Sequence, residues 1–426
     1  MNLTIKKSNP AFKATINLPG SKSISNRALM IRAYAQVDRM SIEKLSEADD
    51  TRILLKNLRQ IRGCSHSNIP MVIDCGNAGT VFRFLVSLLA SSPGTWLLTG
   101  TERMKARPVA DLVDALKHLG ASIEYAEQQG FPPLIIHGKV LTGGISAVSM
   151  QKSSQFASSL VLAAPTWKNG LELHLEGTLS SMPYLKMSLE MMRRFGAKVI
   201  ENERIIHILP VNYKKNNFVV ESDWSSAAFW YELVALSEKG ELLLKGLTYE
   251  SLQGDSAMIT MFRKLGVESF QEPDGVLIFK TGVFARKPHF DLQDYPDMLP
   301  SLVACCAGLG IEASFSGLEN LQFKESDRTA ALQNEMKKMG VIFEKLSAGE
   351  YKLHASNVSR NNMKIQFDTY KDHRMAMAFA PLALVTDRLT VAEAEVVEKS
   401  YPTFWDELKA CGAVEIETLS AGSEKK

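Results

Sequence analysis

Cysteine is scarce: there are five in 426 residues, at positions 64, 75, 305, 306 and 411. The number is odd and the spacing is not that of a zinc site. This argues against a disulfide framework and fits a reducing cytosol, so a cytoplasmic location is expected. Long apolar runs are missing. Phe84–Ala90 and Ser301–Leu309, the longest, fall far short of the roughly 20 residues that a membrane-spanning helix needs. Met1–Pro10 has no apolar core of secretory length, and the polar stretch from Ser420 reads as a frayed tail. Net charge is missing too. Lys plus Arg number 49 and Asp plus Glu 47, leaving +2, which excludes a general nucleic-acid or membrane-surface binder. Any electropositive site must therefore be built locally. What is present is 45% hydrophobic and 23% charged residues, the balance of a folded chain. Its length corresponds to two domains, at roughly 100–200 residues each.

One pattern recurs. Leu116-Lys-His-Leu-Gly-Ala, Met192-Arg-Arg-Phe-Gly-Ala, Phe262-Arg-Lys-Leu-Gly-Val, Met336-Lys-Lys-Met-Gly-Val and Leu408-Lys-Ala-Cys-Gly-Ala share one plan. Their glycines, at 120, 196, 266, 340 and 412, stand 76, 70, 74 and 72 residues apart. Each reads as the end of an amphipathic helix, with basic residues in its last turn, a glycine cap and then a strand. Leu55–Ile61 is a degenerate further copy. The period is too long for common solenoids, whose units run about 20–50 residues. It suits a compact βαβ-type module used six times, three per domain. Pro210–Val220 is the most linker-like stretch, and a new helix begins just after it with a Ser/Asp start signature.

Several helix starts gather groups that suit an anion. Leu18-Pro-Gly-Ser-Lys-Ser-Ile-Ser-Asn-Arg27 opens a helix with Lys22, Ser23 and Arg27 at its mouth, where free N–H groups and the helix dipole favour negative charge. It is not a P-loop, because the glycine spacing before the lysine is absent. Asp74-Cys-Gly-Asn-Ala-Gly-Thr-Val-Phe-Arg83 repeats the design, with Asn77 and Thr80 as caps, Gly79 for close approach and Arg83 on the face of Thr80. Arg103-Met-Lys-Ala-Arg-Pro108 puts Arg107 before a proline expected at a first helical position. Lys152-Ser-Ser-Gln-Phe156 and Ser181-Met-Pro-Tyr184 open two more helices. In the second half, Asp297 ends Asp294-Tyr-Pro-Asp at a helix start, and Phe323-Lys-Glu-Ser-Asp-Arg328 begins another helix. His373 and Arg374 lead straight into Met-Ala-Met-Ala-Phe-Ala, a run that should be buried, so the cations need an anion or a carboxylate partner. Lys399 precedes one more helix.

These motifs, in order and over nearly the whole chain from Leu18 to Leu408, resemble the 3-phosphoshikimate 1-carboxyvinyltransferase family, also called EPSP synthase. One motif alone is weak; six in order are specific. The resemblance implies a two-domain, inside-out α/β fold (EPT/RTPC-like), each domain holding three βαβαββ repeats with helices at the core. The chain would cross between domains near Gly20 and near Asp223. That gives an upper domain of residues 20–222 and a lower domain of 1–19 plus 223–426, with the active site in the cleft between them.

The implied reaction joins phosphoenolpyruvate to the 5-hydroxyl of shikimate 3-phosphate and releases phosphate, a step of the shikimate pathway to chorismate and the aromatic amino acids. Two phosphates and two carboxylates bring roughly six negative charges to one place. The resemblance assigns Ser153, Ser154 and Ser181 to the shikimate phosphate, and Gln155 and Tyr184 to the ring. Ser23 and Arg27 would serve the shikimate side, Arg27 its carboxylate, with Asn320 and Lys324 also in reach. Asn77, Gly79, Thr80, Arg83, Arg107, Gln155, Lys324, Glu325, Arg328, His373, Arg374 and Lys399 would hold phosphoenolpyruvate, and Lys22 would touch both substrates. Asp297, on the shikimate side, would take the 5-hydroxyl proton. Glu325 would deliver and then remove a proton at the phosphoenolpyruvate methylene, with Lys22 as its partner.

No metal and no cofactor is implied, because lysines and arginines occupy the roles an ion would fill. The expected partners are the two small substrates, with no nucleic acid and no membrane, and the chain would act as a monomer. Glyphosate, anionic at both ends, would compete with phosphoenolpyruvate, and a methyl group added at Gly79 would intrude on the longer inhibitor first. Two positions depart from the family pattern: Gln322, where an arginine is frequent, and Phe84, where many members have proline. Neither is expected to touch the chemistry directly. The alternatives are the sister enzyme acting on UDP-N-acetylglucosamine and a non-catalytic phosphosugar binder. The first usually carries a reactive cysteine, which Arg103–Pro108 does not offer; Cys64 and Cys75 fall outside the loop expected for it. The second leaves Asp297 and Glu325 unexplained.

Overall fold

A computed structural model of the chain describes residues 1–35, 40–63, 69–355 and 363–419. Cys64 and the tail from Ser420 lie outside them. All five helix–glycine–strand junctions are formed. Gly120, Gly196, Gly266, Gly340 and Gly412 take φ between +71° and +91°, a left-handed conformation that costs other residues about 1–2 kcal/mol. Each ends one helix and turns the chain into a strand, as between Ala110–His118 and Ser122–Tyr125 or between Arg328–Lys337 and Ile342–Ser347.

Each junction belongs to a larger module of strand, helix, strand, helix and hairpin. The module around Gly120 shows the plan. Met71–Asp74 pairs parallel with Gly94–Thr99, which pairs antiparallel with Leu134–Gly138, and Ser122–Tyr125 takes the edge. The same order, first strand beside second, then fourth, then third, holds in all five four-stranded sheets among the described residues. Two of these sheets borrow from the start of the chain: Asn2–Lys7 supplies a fourth strand and Ala11–Asn17 a first. The sixth module is reduced. Among the described residues its sheet is the parallel pair Ile42–Glu43 with Phe218–Val219. Its second helix, Asp49–Arg62, contains the degenerate Leu55–Ile61 copy and ends at Gly63 with φ −83°, so the chain there does not make the left-handed turn of the other five.

The chain separates into two compact units. One, the inserted unit, is Gly20–Val220; the other, the split unit, is Met1–Pro19 with Glu221–Lys426. The second crossing thus falls two residues before the position expected from the sequence. Glu221 belongs to the split unit because its carboxylate accepts from Ser251 Oγ and the Leu252 N–H.

Within each unit the first helix of every module is the core. In Trp224–Leu236 every residue but Ser225 is buried, and His373–Phe379 is buried throughout. Gly79–Ser91 leaves only Thr80 and Ser91 less than buried, and Ser154–Ala163 only Gln155. A helix apolar on all sides must be enclosed. The second helices are amphipathic: Asp49–Arg62 buries only Asp50, Thr51, Leu54 and Asn57. Of the four residues those core helices leave less than buried, Ser225, Thr80 and Gln155 lie in first turns and Ser91 in a last one. Among the described residues no helix is long and apolar enough to cross a membrane.

Candidate active site

In the inserted unit, three core-helix starts carry the predicted residues. Lys22 is the first residue of Lys22–Ala35, and its ammonium lies 3.0 Å from Asp50 Oδ2. Asp50 stands at the acidic first turn of Asp49–Arg62. One turn on, Arg27 is buried. It donates from Nε to Ser188 Oγ (2.7 Å), and from its terminal nitrogens to the carbonyls of Ser23 (2.9 Å) and Tyr184 (3.0 Å). Burial pulls its pKa down to about 10.

The Asp74–Thr80 turn is held from two sides. The Gly76 N–H donates to Asp74 Oδ1, and the Thr101 N–H donates to the Gly76 carbonyl. The turn carries Asn77 and delivers Gly79 as the first residue of Gly79–Ser91. Arg83 and Arg107, both nearly fully buried, converge there. A Cβ on Gly79 would stand 2.5 Å from a terminal nitrogen of Arg107 and 2.6 Å from one of Arg83. Two guanidiniums at one helix N-terminus make a strongly positive spot. Gln155 joins the next helix start to it, accepting from Arg83 (3.0 Å) and donating to Thr80 Oγ1 (2.9 Å).

Ser153 caps the helix that Ser154 opens, accepting from the Gln155 N–H. Ser181, at φ +56°, precedes Met182–Arg194, where Tyr184 lies in the first turn. Pro108 departs from expectation. The following helix is Ala110–His118, with Val109 at its N-cap, so Pro108 stands outside it. The Arg107 N–H closes a turn onto the Met104 carbonyl, and the Val109 N–H donates to the Gly130 carbonyl.

The split unit holds the carboxylates. Asp297 ends the approach to Leu299–Leu309. It lies 2.7 Å from Arg328, 3.0 Å from Arg374 and 3.5 Å from Lys324. Burial alone would raise its pKa; Arg374, Lys324 and Arg328 reverse that and hold it well below the usual carboxylate range. Glu325 pairs with Arg328 at 3.1 Å and with Lys399 at 3.3 Å. Arg328 is the hub. Its Nε donates to Asp372 (2.9 Å), and its terminal nitrogens to Asp297 and Glu325. Burial works against its charge, but Asp372, Asp297 and Glu325 together hold the guanidinium charged. Asp327 caps the Arg328 helix, and Asp372 caps His373–Phe379 by accepting from the Arg374 N–H. Asp372 also lies 3.6 Å from His373. Asn320 is buried just before the Leu321–Phe323 turn that leads to Lys324.

The sequence reading missed several partners. Asp50 receives Lys22, Asp372 receives Arg328 and Ser326, and Ser188 receives Arg27. The rule that a cation at the mouth of a buried helix needs a carboxylate would have pointed to Asp372, two residues before Arg374. No comparable local signal marks Ser188, 161 residues from Arg27. Of the two departures, Gln322 only caps a local turn through the Glu319 carbonyl. Phe84 packs its ring against Arg27, whose guanidinium carbon is 5.5 Å from the ring centroid.

Arranged in this way, the two clusters offer buried cations for several anionic groups, one ionised carboxylate and a second carboxylate between two cations. Comparison with known proteins identifies the family. The profile of the family described as EPSP synthase (3-phosphoshikimate 1-carboxyvinyltransferase) matches residues 6–408. A 3-phosphoshikimate 1-carboxyvinyltransferase of Bacteroides fragilis is 42% identical over 402 residues, covering 94% of this chain and 96% of that protein. One from Syntrophobacter fumaroxidans is 34% identical over 414 residues, covering 93% and 96%. A solved EPSP synthase from Acinetobacter baumannii superposes with a TM-score of 0.77 at 23% identity, over 98% of this chain and 100% of that one, and so shares the fold. With the family profile spanning nearly its whole length, this chain belongs to the EPSP synthase family.

Proposed function

We propose that the chain transfers the enolpyruvyl group of phosphoenolpyruvate to the 5-hydroxyl of shikimate 3-phosphate, forming 5-enolpyruvylshikimate 3-phosphate and phosphate on the route to chorismate and the aromatic amino acids. It works on these small molecules alone, as a monomer in the cytosol. The observation that carries this reading is the coupling of Asp297 and Glu325 through one buried guanidinium, Arg328. An acid–base pair on a shared cation is what an addition–elimination needs and what a mere binding protein does not.

Ser153, Ser154 and Ser181 hold the shikimate phosphate, Gln155 and Tyr184 line the ring, Ser23 and Arg27 take the shikimate side, and Asn320 and Lys324 assist. The spot at Asn77, Gly79 and Thr80, with Arg83 and Arg107, receives phosphoenolpyruvate together with Lys324, Arg328, His373, Arg374 and Lys399. Lys22, held by Asp50, contacts both substrates. In the first stage Asp297 takes the 5-hydroxyl proton, the oxygen bonds to C2 of phosphoenolpyruvate, and C3 gains a proton from Glu325. In the second, the bond from C2 to the phosphate oxygen breaks, phosphate departs and takes up the proton held by Asp297, and Glu325 recovers a proton from C3. A carboxylate held far below neutral pH is a weak base. Substrate anions that draw Arg374 and Lys324 away from Asp297 remove the field that depresses it, so binding itself makes Asp297 more basic. Arginines and lysines fixed at the departing phosphate stabilise its charge without reorganisation.

The test is phosphate release from phosphoenolpyruvate with either shikimate 3-phosphate or UDP-N-acetylglucosamine as acceptor. Release only with shikimate 3-phosphate is expected; release with the nucleotide sugar, or with neither, contradicts the reading.

A further inference from the structure

Phe84 is completely buried, directly after Arg83 in Gly79–Ser91. Its ring lies against a guanidinium from another module, that of Arg27, at 5.5 Å. Arg27 has five N–H donors. Three are committed, to Ser188, Ser23 and Tyr184. This leaves one N–H on each terminal nitrogen, a fork that matches the two oxygens of a carboxylate. The bond at Nε is buried, whereas those of the terminal nitrogens are only partly so, so the fork is the more open end. The three hydrogen bonds fix the guanidinium within its own plane. Their directional force lies in that plane, and contact on its face has to come from another group. The phenyl ring supplies it, because its negative face attracts the cation and resists tilting of the plane. The arrangement recurs one module on: Arg83 lies 5.4 Å over Phe156 of Ser154–Ala163. Each arginine thus rests on a phenylalanine from the core helix of the following module.

We propose that Phe84 is a positioning residue for shikimate 3-phosphate, its ring holding the Arg27 fork in the orientation that receives the substrate carboxylate. This rests on the reading of Arg27 given above. An aliphatic side chain can fill the same space but has no charged face to offer, and neither does the proline that the family resemblance leads one to expect at 84. The withdrawal of Arg27 from water, which pulls its pKa down to about 10, makes such a contact stronger than it would be at an exposed site.

The experiment replaces Phe84 by phenylalanines bearing one, two and three ring fluorines, which drain charge from the ring face at nearly constant volume. Phe84→Leu and Arg27→Lys complete the set. Steady-state kinetics are measured for both substrates, with thermal stability alongside. The KM for shikimate 3-phosphate should climb stepwise with fluorine number to about three- to tenfold, as should that of Phe84→Leu, while kcat and the KM for phosphoenolpyruvate stay within about twofold. A KM that is flat across the fluorinated series overturns the proposal, whatever happens to stability, because packing alone then explains the ring. If that flat series accompanies a large effect of Arg27→Lys, the role of Arg27 survives and only that of Phe84 falls. If Arg27→Lys leaves the shikimate 3-phosphate KM unchanged, the reading of Arg27 fails and the proposal with it.

Discussion

Glu325 sits between Arg328 and Lys399, at 3.1 and 3.3 Å, so an amide in its place keeps the shape and removes the proton carrier. Glu325→Gln should fold normally, bind both substrates and lose about 10²–10⁴ of turnover; calorimetry beside a turnover assay checks this, and near-normal turnover rules the role out. At Gly79 the structure changes an expectation. A methyl group there meets the guanidiniums of Arg83 and Arg107 first, and because these are the ends of flexible side chains they would move aside. Gly79→Ala should therefore raise the KM for phosphoenolpyruvate on the order of tenfold, in line with the loss of a charged hydrogen bond, as well as weaken glyphosate. An unchanged KM would restore the simpler steric picture. Glu232 makes a different point. Burial in the core helix, only partly offset by the Ser301 hydroxyl, raises its pKa well above normal. From the unfolded pKa near 4.5 up to that raised value, the folded state keeps a proton that the unfolded chain has released. Stability must then fall with rising pH, by up to about 1.4 kcal/mol per unit. Glu232→Gln should match the parent at pH 4 and exceed it at pH 7 in urea unfolding; equal stability at both would show Glu232 to be ionised. Motif residues such as Lys22 and Arg374 were legible one by one, because each stands beside a helix start. Asp50, the partner of Lys22, and Ser188, the partner of Arg27, were not, because only folding brings them near.

At the level of elements, the junction glycines carry the clearest prediction. Gly120 and Gly412 take φ +91° and +78°, and an added Cβ would meet nothing within 4 Å at either. The cost of alanine there is purely conformational, about 1–2 kcal/mol. Gly120→Ala and Gly412→Ala should each lower stability by that amount in denaturant titrations, with kinetics unchanged; no loss would mean that the chain can leave the left-handed turn without penalty. These junctions were readable because a cap and a strand start leave local signatures. The helix start expected at Pro108 was not, because the hydrogen bond of Val109 to Gly130 is tertiary and leaves no local mark. The reduced sixth sheet was foreshadowed only by the poor match of Leu55–Ile61 to the other copies.

For the molecule as a whole, a net charge of +2 means that attraction of anions arises at the clusters and not from an overall field. Raising potassium chloride from about 0.05 to 0.5 M shortens screening from over 10 Å to under 5 Å. The KM of both substrates should rise several-fold while kcat holds, and a salt-insensitive KM would argue against cation clusters as the binding element. The module plan and its repeat were legible at this scale because one glycine-marked junction recurs about every 70 residues. That Asn2–Lys7 and Ala11–Asn17 complete sheets with strands hundreds of residues away was not, since strand partners so distant leave no periodic trace. The most direct measurement is the reaction followed by proton and phosphorus NMR in D₂O, with both substrates present. Transfer by addition and elimination passes through a methyl group at C3. The product should therefore appear as an enol ether of shikimate 3-phosphate, with deuterium in its methylene and one phosphate released per molecule formed. Phosphoenolpyruvate consumed without loss of shikimate 3-phosphate, or an enol ether free of deuterium, would contradict it.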